Sequence, residues 1–92
     1  MEQKKCLELL NIMSTIYETP DVMDEYWEQV TPLLKALTAA APQGLEGTAM
    51  MISTHFTNAA KFKDVKVQKF ELESGLIKLK TYFQKLNSSV ME

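Results

Sequence analysis

The chain has 92 residues, with ten lysines, twelve acidic residues and no arginine, for a formal net charge of −2 at pH 7. Hydrophobic residues make up 46% and charged residues 24%, the composition of one small folded domain over 1–92, which excludes disorder and a multidomain enzyme. Cys6 is the single cysteine, which excludes an intrachain disulfide framework, and the lack of arginine removes the side chain best suited to bidentate phosphate and guanine contacts.

Taken in chain order, the apolar spacing predicts helix almost throughout. In residues 3–18, Cys6, Leu9, Leu10, Met13, Ile16 and Tyr17 share one face. Thr19-Pro20 ends this segment, and Thr19 is expected to cap the next one with Pro20 at its first position. The second segment, 20–41, repeats Met23, Tyr26, Val30, Leu33, Leu37 and Ala40 in steps of three and four. That register runs through Pro32, so one helix kinked at Pro32 is expected in place of two. Ala41-Pro42-Gln43-Gly44 is the clearest loop.

The third segment, 45–61, carries Leu45, Ala49, Ile52, Phe56 and Ala59 on one face. The fourth, 64–88, carries Val65, Leu72, Leu76, Leu79, Phe83, Leu86 and Val90, with Lys69 on the seam. The register slips between them at Lys61-Phe62-Lys63-Asp64, which reads as a break capped by Asp64; one merged helix with a local stammer is the alternative. The repeat stays in phase across Gly75, so that helix is kept whole despite glycine's cost of about 1 kcal/mol. The expected fold is all-α, a small antiparallel bundle of about four helices.

Catalytic chemistry finds little to stand on. His55 is the single histidine, which leaves no histidine pair or Cys/His cluster for a metal. Gly44-Leu45-Glu46-Gly47 lacks the lysine and the preceding strand of a phosphate loop. No catalytic, cofactor-binding or metal-ligating residue is assigned, and the chain is expected not to be an enzyme. Cys6, among leucines at helical spacing, reads as a buried and inert thiol.

The second segment is more informative. Asp21, Asp24, Glu25 and Glu28 stand at i, i+3, i+4 and i+7, which places four carboxylates on one stripe. A solvated face explains this, and so does a docking surface for a basic protein. Trp27 stands beside the stripe and is either core filling or an interface anchor. Met50 and Met51 add a soft apolar surface to the third segment. Leu7 and Ile12, Trp27 and Leu34, and Phe70 and Ile77 lie outside the narrow seams and exceed what one small bundle needs.

Charge is divided along the chain. Residues 1–60 hold three lysines and eight acids, net −5; residues 61–92 hold seven lysines and four acids, net +3. The lysines form no single stripe, which disfavours nucleic acid as a partner. No apolar run reaches the ~18 residues of a membrane-crossing helix. The opening residues also lack the uncharged stretch of a signal peptide, so a cytoplasmic location is expected. These features together predict a non-catalytic protein–protein interaction module: a regulator, adaptor or inhibitor that self-associates and offers Asp21, Asp24, Glu25, Glu28 and Trp27 to its partner. The alternative is a helical oligomer that binds a small anionic ligand through Lys69, His55 or the tyrosines. A nucleic-acid-associated protein is the lesser alternative.

Overall fold

A computed structural model describes residues 2–91, with side chains through Asn87. Four α-helices follow one another: α1 (Gln3–Glu18), α2 (Met23–Ala39), α3 (Glu46–Lys61) and α4 (Val65–Met91). A single 3-10 turn, Pro20–Val22, leads into α2. The helices form an all-α bundle with a backbone of 42 × 20 × 20 Å. Each packs beside its chain neighbours, and α4 closes the ring against α1; among the described residues the diagonal pairs α1–α3 and α2–α4 make no close backbone approach.

The core is built from the expected stripes. Cys6, Leu9, Met13 and Ile16 of α1 meet Val30, Leu33 and Leu37 of α2, Ala49, Ile52 and Phe56 of α3, and Leu72, Leu76 and Leu79 of α4. Gly75 is needed here for space: a Cβ at this position would overlap the Phe56 ring, so glycine lets α3 and α4 approach closely. Gln68, buried near the start of α4, donates from Nε2 to the Ala59 carbonyl at 3.0 Å. That bond ties the last turn of α3 to the first turns of α4.

Some expectations are corrected in detail and others hold. The α-helical part of the second segment is shorter than 20–41. Pro20 opens a 3-10 turn, and the Thr19 side chain makes no cap bond; its carbonyl instead accepts the Val22 N–H at 3.1 Å. Pro32 lies inside α2, which stays one helix. Its missing N–H would have bonded the carbonyl of Glu28, an exposed residue where water can serve. The last two helices are separate, with Phe62, Lys63 and Asp64 between them. The Asp64 carboxylate accepts the backbone N–H groups of Lys66 (2.9 Å) and Val67 (3.3 Å), as a helix cap should.

Toward the end of α4, Leu86 is buried as expected, while Val90 lies outside the described side chains. Tyr82 is fully buried where Phe83 was expected, and Phe83 packs only partly against the core. Val65 and Ala40 are exposed, each at a helix end. Leu34 is buried, and Ile12 and Trp27 are half-buried, which leaves Leu7, Phe70 and Ile77 as the apolar surplus of the three helices named above.

Candidate functional site

Asp21, Asp24, Glu25 and Glu28 are all exposed on the outer side of the bundle. Asp21 sits in the 3-10 turn and the other three in the first turns of α2, where a helix N-terminus favours negative charge. Among the described residues, the row makes one ion pair with the rest of the chain. Lys63 Nζ lies 3.9 Å from Asp24 Oδ1, with both groups in solvent, a geometry that contributes little to stability.

Trp27 is not a member of that row. It is half-buried and turns toward α3, where it lines an open groove of about 290 Å³ with Thr31, Leu34, Lys35, Ser53 and Thr57. The four carboxylates are thus exposed on the 3-10 turn and the first turns of α2, and Trp27 lines a groove beside the same helix.

Of the polar groups named for a small ligand, Lys69 meets Tyr17, while His55 pairs elsewhere. His55 Nδ1 lies 2.7 Å from Glu71 Oε2, a half-buried pair that links α3 to α4. Lys69 is exposed on the opposite flank of α4, with its ammonium 5.6 Å from the centre of the Tyr17 ring of α1. Its place on the apolar seam is therefore resolved by lying over an aromatic face. Between α1 and α4 runs an open groove of about 340 Å³, lined by Ser14, Tyr17, Glu73, Leu76, Ile77 and Lys80.

Glu71 and Gln68 were not singled out from sequence, yet each makes a distinctive contact, and Tyr82 was named only as one of the tyrosines. Glu71 and His55 stand equally far from Lys63, so a turn centred there brings them level, a relation visible once the turn is placed. Tyr82 carried no such signal. Its hydroxyl is buried and has no hydrogen-bond partner among the described residues. Burial pushes its pKa up, and the neighbouring Cys6 adds to the shift. Burial likewise raises the Cys6 thiol to about 11, which leaves it protonated and unreactive near neutrality.

Among the described residues, no group of three or more His, Cys, Asp or Glu side chains is placed to hold a metal ion. No described helix is long and apolar enough to cross a membrane. What the surface does offer is apolar area. Met50 and Met51 on α3, Leu7 on α1, and Phe70 and Ile77 on α4 are all exposed beyond a core that is already filled. Comparison with protein-family models, with curated proteins and with solved structures finds no match for this chain.

Proposed function

We propose that this chain is a non-catalytic interaction module, a small regulator, adaptor or inhibitor that works as a homo-oligomer in a reducing, cytoplasmic setting. One observation carries the reading: a bundle with a filled core still holds Phe70 and Ile77 outside it at 65% and 58% exposure. Large apolar side chains kept in water in a chain this small mark a surface that another macromolecule covers. The exposed row Asp21, Asp24, Glu25 and Glu28 supplies the complementary feature, a negative face that would steer a basic protein partner, with Trp27 on its flank as an anchor.

The test is affinity capture from the native source followed by mass spectrometry, with the wild-type chain and Asp24→Lys/Glu28→Lys side by side. The expected result is a protein recovered by the wild type and lost with the reversed charges. Equal recovery by both chains rejects the acidic row as the docking face. Recovery of nothing above control rejects the module as one that acts on another protein.

A further inference from the structure

We infer that the outward face of α4 is an antiparallel seam for a second copy of this chain. The inference rests on the self-association proposed above and names its surface. Val67, Phe70, Ser74, Ile77, Thr81 and Gln84 succeed one another along α4 in alternating steps of three and four. They lie on the side of the helix away from the buried row of Gln68, Leu72, Leu76, Leu79 and Leu86. That spacing is the one by which helices pair in coiled coils.

None of the six is charged, although the rows on either side are. Lys66, Glu73 and Lys80 run along one flank, and Glu71, Lys78 and Lys85 along the other. Among the described residues, α1 and α3 pack on other sides of α4 and α2 makes no close backbone approach to it, which leaves Val67, Phe70, Ile77 and Thr81 exposed. Thr81 makes no demand on a partner either, since its hydroxyl donates back to the Ile77 carbonyl at 3.2 Å.

Charge selects the orientation and the register. In an antiparallel pair, the flank Lys66–Glu73–Lys80 meets its own copy, and so does the flank Glu71–Lys78–Lys85. Setting Ser74 against the partner's Ile77 brings Phe70 against the partner's Thr81 and Val67 against the partner's Gln84. Phe70 and Ile77 then each face a smaller side chain. In that register Glu73 meets the partner's Lys80 and Glu71 meets the partner's Lys78, each pair occurring twice by symmetry.

The competing arrangements are worse. A shift of one heptad in one direction opposes Glu73 to the partner's Glu73 and Lys66 to the partner's Lys80. The opposite shift opposes Lys80 to the partner's Lys80 and Lys78 to the partner's Lys78. A parallel pair places Lys80 beside the partner's Lys85. Only the first antiparallel register avoids like charges on both flanks.

The test is the solution mass by light scattering from about 1 μM to about 1 mM. The wild-type chain is expected to move from 10.5 kDa toward twice that mass as concentration rises. Phe70→Glu/Ile77→Glu changes two exposed positions and is expected to weaken dimerisation about 100-fold or more while circular dichroism keeps its helical signal. Lys80→Glu is expected to weaken it about fivefold, and Glu73→Lys/Lys80→Glu together to restore it. A chain monomeric across the whole range overturns the seam and the self-association reading together. A dimer indifferent to the Phe70 and Ile77 changes overturns the seam alone. A dimer tightened by Lys80→Glu, as the parallel pair requires, overturns the antiparallel register.

Discussion

The Phe56 ring occupies the space that any side chain at Gly75 would need. An intrinsic helix scale would therefore misjudge this position. Gly75→Ala in an exposed helix would gain about 1 kcal/mol. Here the added methyl meets a fully buried aromatic ring that cannot swing into solvent. The expected outcome is a net loss of about 1–3 kcal/mol in urea denaturation. Combined with Phe56→Leu, the same change should cost less than it does alone, because the smaller side chain frees the space.

Asp64 holds the first turn of α4 through two backbone N–H groups. Asp64→Ala is expected to lower stability by about 1 kcal/mol, and Asp64→Ser or Asp64→Asn to recover most of that loss. Amide exchange localises the effect: protection should fall at Lys66 and Val67 before it falls at Leu79.

Alkaline pH should destabilise the bundle through Cys6. Its folded pKa of about 11 stands above its ordinary value of 9.0, because burial penalises the thiolate. Below pH 9 the thiol is neutral whether the chain is folded or not, and this contribution is fully present. Between 9 and 11 the unfolded chain ionises while the folded one keeps its proton, so stability falls as pH rises, by about 2–3 kcal/mol at full extent. Tyr82 acts in the same direction at higher pH, since its pKa is also raised. Urea midpoints measured from pH 8 to 10.5 should fall for the wild type and fall less steeply for Cys6→Ala.

The buried Tyr82 hydroxyl has no protein partner among the described residues. Its desolvation is uncompensated among the described residues, so Tyr82→Phe should be neutral or raise stability by up to about 1–2 kcal/mol. A clear loss of stability in thermal unfolding would mean that the hydroxyl is satisfied in solution.

Legibility in the sequence followed the physics of each feature. The α1 bounds and the break before α4 were readable because they depend on local patterns: an apolar stripe that ends at Thr19-Pro20, and a register slip followed by a capping aspartate. The start of α2 was less readable, because proline is compatible both with the first turn of an α-helix and with a 3-10 turn. The choice of Tyr82 over Phe83 for the core was hidden. Both lie within reach of the stripe, and the neighbours on α1 and α3 decide which one is covered. The acidic row was visible because it is set by spacing alone, while the turn of Trp27 toward α3 depended on where that helix sits. The His55–Glu71 pair needed the turn geometry before it could be seen.

The ring closes between its first and last members, and this orders assembly in time. The α3–α4 contacts join residues close in the chain, as the 16-residue span from His55 to Glu71 illustrates. Docking α1 on α4 must instead bring Tyr17 to Lys69 and Cys6 to Tyr82, pairs 52 and 76 residues apart. Loop closure makes the second kind of contact slower than the first. The α3–α4 hairpin is therefore the natural nucleus, and the α1 stripe of Cys6, Leu9, Met13 and Ile16 is the last apolar surface to leave water. A chain interrupted before α4 is made would leave that stripe without its second wall.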